Sequence, residues 1–349
     1  MSRADITTEA RTRFEEAAAV FDSAASGSGL VERNYRIANR FLRLRFAGPA
    51  LLPLLTPALA HLELGRVAVD PELIVLAWDS ASTGTARPPL GPQRKPGELI
   101  VRPLFRDGRF TAFAQPDERV LNVLDAEHGV AAFWADDAAS LPYWEAGAPL
   151  RLILNWWLAP HGVQLVHAAA LGTAAGGVLL AGPGGSGKST TALASLRAGL
   201  RFAADDYVLM TADPPHVYSL YGTAKLDTVE RFPDLAPAVW NSDKLDEEKA
   251  IVFVNRRAPE ALITNFPLRA LLAPRVVNGA DSSVRPIGAA EALRALAPST
   301  LLQLPGGGDV TLATMTAVAE RLPCYELKLG SDLDAVASCL SDLVGGLNA

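Results

Sequence analysis

Cys324 and Cys339 are the only thiols in this 349-residue chain. Two are too few for a disulfide framework or a cysteine-built zinc site, so a reducing cytoplasm is the natural setting and both are expected as buried fillers. A basic excess is missing as well. Lys and Arg total 32 against 38 Asp and Glu, a formal net charge of −6. That balance argues against a broad nucleic-acid-binding surface, and no nucleic-acid motif is present. No run approaches the roughly 18–20 apolar residues of a membrane span, and the polar, mixed-charge N-terminal stretch has no apolar signal core. No internal repeat is evident. These gaps point to a cytoplasmic chain with no nucleic-acid or membrane partner. The 49% of hydrophobic residues is ample for one large or two ordinary cores.

The chain is organised around Val178–Met210. Within it Gly182-Pro183-Gly184-Gly185-Ser186-Gly187-Lys188-Ser189 fits G-x-x-x-x-G-K-[ST], with the apolar run Val178–Ala181 before it and the helix formers Thr190–Ala198 behind it. Glycines in such a turn let successive backbone N–H groups face inward around phosphates, and a helix starting near Lys188 adds its positive end. The expected nucleotide contacts are Gly182, Gly184, Gly185, Ser186, Gly187, Lys188, Ser189 and Thr190. Lys188 bridges the terminal phosphates and Ser189 offers a hydroxyl to magnesium. Gly199 fits the helix C′ position, and the strand Leu200–Ala204 then ends directly in Asp205-Asp206. Adjacent carboxylates facing phosphate need metal or protons to be tolerated. His167 is expected on a strand beside the glycine-loop strand, next to Asp205, where an imidazole could hold that carboxylate and trim its proton affinity.

His167, the glycine loop and Ala204-Asp205-Asp206, in that order, resemble the HPr kinase/phosphorylase family, which is related to PEP carboxykinases. The likeness covers about residues 166–210. The family loop usually reads G-x-S-G-x-G-K-S; this chain has Gly184 where that first serine stands and Ser186 where a small apolar residue is common. The resemblance implies an α/β fold, with an HPr kinase/PEP carboxykinase-like P-loop core and a mainly β (α+β) N-terminal domain. It implies ATP or another nucleoside triphosphate with magnesium, Asp205 as general base, and Asp206 on the magnesium side with Ser189. As a divergent member, of the sort found beside peptide-modification genes, the chain is expected to phosphorylate a serine hydroxyl of a peptide or small protein, and homo-oligomers fit the family. Two alternatives stay open: a small-molecule kinase acting on a free amino acid, and a non-catalytic nucleotide-binding regulatory module.

The expected organisation is a helical extension over residues 1–29, an α+β domain over 30–149 and the kinase domain over 150–349. Ala10, Phe14, Ala17, Ala18 and Phe21 recur at helical spacing across Ser2–Ala25, and Ser26-Gly27-Ser28-Gly29 should break that helix. Tyr35–Phe46 reads as one strand with Leu42, Leu44 and Phe46 on one side, and Pro49–Leu64 as an apolar helix. Strands follow at Leu73–Trp78, Leu99–Leu104, Arg109–Gln115, Val120–Asp125 and Gly129–Trp134. Asp79–Gly97 reads as a long loop and Asp107-Gly108 as a hairpin turn. His128 is expected at the surface. Farther on, Asp227–Leu235 reads as a helix closed by Pro233, and Gly288–Ala297 and Val310–Arg321 as helices flanking a hinge at Pro298–Gly308. A strand at Cys324–Leu329 and a helix at Asp332–Val344 close the chain. Lys225, Lys249 and Arg275 are further candidates for contact with phosphate or with charge that moves in transfer.

Overall fold

Along Arg40–Ala47 the side chains of Leu42, Leu44 and Phe46 are buried while Arg43 and Arg45 between them stay half-exposed, as a strand with one face on a core requires. The computed structural model describes residues 3–65, 69–88, 105–106, 108–115, 119–304 and 308–349. The expected strand Leu99–Leu104, much of the loop Asp79–Gly97, Asp107 of the hairpin turn and Gly306-Gly307 of the hinge lie outside the described residues. The chain is a mixed α/β protein that divides into two units, Met1–Trp157 and Leu158–Ala349. No helix among the described residues is long and apolar enough to cross a membrane.

In the first unit, strands β1 (Leu30–Ile37), β2 (Arg40–Ala47), β3 (Glu63–Leu64), β4 (Leu73–Asp79), β5 (Phe105–Arg106), β6 (Phe110–Gln115), β7 (Val120–Asp125) and β8 (Val130–Ala135) form one sheet in the order β3-β1-β2-β4-β8-β7-β6-β5. The single strand expected over Tyr35–Phe46 is instead the hairpin β1–β2. Its turn is Ala38-Asn39, at φ 46° and 66°. Two successive left-handed residues suit the twist of a two-residue hairpin, but without glycine only Asn39 signalled it. The helix Arg3–Ser28 lays Ala17, Phe21 and Ala24 on a core with Trp78 and Trp134. It runs past the expected break. The Ser26 hydroxyl bonds back to Asp22 O at 2.8 Å, and Gly29 at φ 84° ends the helix with its amide on Ala25 O. The expected helix Pro49–Leu64 is split into a turn of α-helix, Leu52–Leu55, a 3₁₀ segment, Pro57–Leu62, and β3. Pro53 and Pro57 have no amide to continue one helix. His128 is exposed and bonds Asp125.

The second unit contains β9 (Gln164–Val166), β10 (Ala169–Thr173), β11 (Gly176–Leu180), β12 (Arg201–Ala204), β13 (Val208–Ala212), β14 (Pro215–Tyr218), β15 (Thr223–Leu226), β16 (Ala250–Phe253), β17 (Asn265–Val276), β18 (Ser283–Ile287) and β19 (Cys324–Leu329). The long strand β17 organises the sheet. It pairs in parallel with β11 on one side; on the other its first residues pair with β14 and its later ones with β19. The branches β12-β10-β11-β17-β14-β13-β9 and β17-β19-β18 therefore share one backbone, while β15 and β16 form a separate ribbon. One core takes in Leu180, Ala192, Phe202, Val252 and Leu340, and another Met210, Phe266, Leu296 and Met315.

Three expectations change in this unit. His167 is not within a strand but in the bend between β9 and β10, where the chain leaves one pairing for another. Asp227–Leu235 is not a helix: turns lead into a 3₁₀ segment, Pro233–Ala238, because Phe232 before a proline is held off the α region, at φ −134° and ψ 63°. The helix expected to stop at Ala297 spans Ala289–Gln303, passing Pro298 and burying Leu296, Ala297 and Thr300.

Candidate functional site

The parallel strands β11, β17 and β19 end at Leu180, Val276 and Leu329, and crevices outside such C-terminal ends are where open α/β sheets take ligands. A cavity of about 340 Å³ opens there, lined by Gly184, Gly185 and Gly187–Thr190 on one side, and elsewhere by the aspartate doublet, Lys225, Val276 and Gly330.

Two glycines of the loop hold backbone conformations that side chains rarely adopt. Gly185 and Gly187 sit at φ 78° and 96°, and a Cβ on Gly187 would meet Leu329 Cδ1 at 2.5 Å. The helix Lys188–Ser195 begins immediately, and Gly187 at its N-cap supplies no side chain to its first amides. Lys188 is buried, and its Nζ donates to Gly182 O at 2.7 Å and Pro183 O at 3.1 Å, clasping the loop. Burial lowers its pKa, against the opposing pull of Asp205 and Asp206. Of the sequence candidates, Gly184, Gly185, Gly187, Lys188, Ser189 and Thr190 line the cavity. Gly182 and Ser186 are not among its lining residues; Ser186 Oγ is buried with no hydrogen-bond partner.

The surroundings shift the proton affinities of the two aspartates in opposite directions. Asp205 is 1% exposed; Oδ2 accepts the Lys225 amide at 3.0 Å and Oδ1 is buried without a partner. Burial, then the neighbouring Asp206 charge, raises its pKa, opposed by the Lys225 amide, the nearby Ser189 hydroxyl and Lys188. Asp206 adopts φ 68°, a left-handed conformation uncommon outside glycine. Its Oδ1 accepts from His167 Nε2 and its Oδ2 from Lys225 Nζ, both at 2.9 Å. Although burial pushes its pKa up, the His167 hydrogen bond and the Lys225 ammonium outweigh that and hold it well below the usual carboxylate range. The expected His167–Asp205 pairing is thus replaced by His167–Asp206. In the bend His167 is fixed by its own amide on Thr300 Oγ1 at 2.9 Å and by the edge of Tyr207, and its Nδ1 is buried without a partner.

Lys249 lines the cavity, ion-paired to Asp227 at 2.8 Å. Arg275 does not: it is exposed and pairs with Glu326 at 3.3 Å, so its candidacy is withdrawn. Sequence reasoning missed Arg231, whose Nη2 donates to Ser331 O at 2.7 Å, and the apolar wall of Leu329, Leu333 and Val336. Nothing local marks these residues; only strand order brings them to the loop. Among the described residues no three His, Cys, Asp or Glu side chains form a cation cage. Magnesium asks for less, since it is commonly bound by one or two carboxylates together with substrate phosphates and water. Ser189, the ionised Asp206 and the unpartnered Asp205 Oδ1 fit such an ion in the company of a polyphosphate.

No family model and no curated protein matches the chain. Among solved structures it is similar to the Hpr(Ser) kinase/phosphatase from Coxiella burnetii, at 13% identity and a TM-score of 0.29, over 52% of this chain and 95% of that one. The likeness is a distant one.

Proposed function

We propose that the unit Leu158–Ala349 is a nucleoside-triphosphate-dependent phosphotransferase with a P-loop, HPr-kinase-like site, acting on a hydroxyl acceptor. The observation that carries this reading is the meeting, in one cavity at the ends of parallel strands, of an amide-rich glycine loop, Lys188 and two carboxylates whose proton affinities are shifted in opposite directions. The amides of Gly184–Thr190 grip the polyphosphate of ATP, and Lys188 leaves the carbonyls of Gly182 and Pro183 for the terminal phosphates. Asp205, buried and with raised proton affinity, takes the proton of the attacking hydroxyl. His167 and Lys225 keep Asp206 ionised beside it. A magnesium ion held by Ser189 and Asp206 would, when bound, neutralise charge on the phosphate oxygens. Catalysis by these residues is mainly placement and electrostatics.

The acceptor in this reading is a serine hydroxyl of a peptide or small protein, supported by the order of His167, glycine loop and Asp205-Asp206. Transfer of labelled γ-phosphate to serine peptides and, in parallel, to free amino acids tests it. Wild-type protein is expected to label peptides. Asp205→Asn is expected to retain nucleotide while losing about 10²–10⁴-fold in rate. Labelling of free serine alone would replace the peptide acceptor by a small molecule. Bound nucleotide without transfer to any acceptor, unchanged by Asp205→Asn, would leave a regulatory module.

A further inference from the structure

One wall of the cavity belongs to the β15–β16 ribbon and the chain that joins its strands. Lys225 stands on β15, Lys249 immediately precedes β16 and Arg231 lies in the turns between them. The glycine loop and Lys188 line the same cavity. Each ribbon cation has a partner in this structure: Asp206 for Lys225, Asp227 for Lys249 and the Ser331 carbonyl for Arg231.

Lys225 differs from the other two in how it is held. Its backbone amide donates to Asp205 Oδ2 at 3.0 Å, which fixes its main chain at the site. Its ammonium ends on Asp206 Oδ2 at 2.9 Å, with the side chain 23% exposed, on a stem flexible enough to carry the charge elsewhere. Asp206 Oδ1 already accepts from His167 and Oδ2 from Lys225, so a dication drawn to Asp206 meets the ammonium at close range, and the two repel. A polyphosphate in the cavity offers the displaced ammonium an acceptor of the same charge sign.

Resting on the phosphotransferase reading, we propose that Lys225 is a phosphate-binding residue that serves as counter-ion to Asp206 in the empty cavity and exchanges that carboxylate for a phosphate oxygen when nucleotide and divalent cation bind. The exchange keeps Lys225 opposite a negative group before and after. It makes Asp206 a poor cation ligand until the polyphosphate arrives, so the ion and the nucleotide enter together.

Two titrations on the full chain decide this, with manganese as the probe ion. Mn²⁺ binding to nucleotide-free protein, followed by electron paramagnetic resonance, is expected to tighten at least about tenfold in Lys225→Met, because the competing ammonium is gone. ATP affinity, measured by competition with a fluorescent nucleotide, is expected to weaken at least about tenfold in the same variant, with AMP affinity within about twofold of wild type. Unchanged Mn²⁺ affinity, or equal losses for ATP and AMP, overturns the proposal. Lys225→Gln repeats both titrations should the Met variant not fold. If wild-type protein holds no nucleotide at all, the phosphotransferase reading fails, and the Mn²⁺ titration still decides whether Lys225 blocks Asp206.

Discussion

His167 donates from Nε2 to Oδ1 of Asp206 at 2.9 Å, and so fastens on the aspartate that Lys225 also holds. The doublet is thereby split into one carboxylate kept ionised and one, Asp205, whose proton affinity is raised by burial and by its charged neighbour. Environments that push two adjacent acids apart are how a single site obtains both a charge and a base.

Removing the imidazole leaves Asp206 with Lys225 alone. His167→Ala is expected to slow phosphoryl transfer about 10–100-fold, the range typical for residues that orient a ligand or catalytic group. ATP affinity should move less than about threefold. Initial rates set against nucleotide titrations check it; a loss confined to affinity would place His167 on the nucleotide instead.

Gly187 is demanded by its φ of 96°, and a Cβ there would also push aside Leu329 Cδ1, 2.5 Å away. Gly187→Ala is expected to cost roughly 1–3 kcal/mol of stability through backbone strain and crowding, and to abolish measurable nucleotide binding. Urea denaturation and a binding titration on the same preparation check both halves. A variant as stable as wild type would show that the loop readily adopts another conformation.

In the first unit, burial acting alone would raise the pKa of Asp125, but hydrogen bonds from Arg109 and His128 and the Arg109 charge prevail and lower it. A carboxylate depressed in the folded state contributes stability that is fully present above its unfolded pKa and is lost as pH falls through the folded one. Asp125→Asn is therefore expected to lose about 1–3 kcal/mol at pH 7. The gap from wild type should shrink as pH falls below about 4. Denaturation midpoints measured across that range check the sign; a constant gap would assign the loss to packing.

Phe21 is fully buried and meets Trp78 edge-on, with ring centroids 5.9 Å apart. Phe21→Ala is expected to destabilise the first unit by about 3–5 kcal/mol. A loss below about 1 kcal/mol, read by urea denaturation followed through tryptophan fluorescence, would mean that the helix Arg3–Ser28 contributes little to that core.

Elements with one dominant local cause could be read without a fold. The alternation of Leu42, Leu44 and Phe46 marked a half-buried strand, and Gly199, at φ 81°, ended the segment behind the glycine loop where a C′ glycine was expected. Elements decided by two competing causes could not. Ala38-Asn39 turns a hairpin without glycine because the paired strands on either side demand it. Pro298 sits inside a helix because the buried face of Leu296, Ala297 and Thr300 continues past it.

The sequence alone determined the glycine loop, its lysine and the acidic doublet, because backbone freedom at glycine and the clustering of charge act over a few consecutive residues. Only the tertiary structure decided which aspartate His167 holds, that Lys225 bridges the doublet, that Arg275 is turned away to Glu326, and that Leu329, Leu333 and Val336 close the cavity. The pairing of β9 with β13 and of β10 with β12 brings His167 to Asp206, while β11, β17 and β19 lying side by side bring Leu329 to the glycine loop. Residues as far apart in the chain as His167 and Val336 line one cavity, an arrangement that no local spacing encodes.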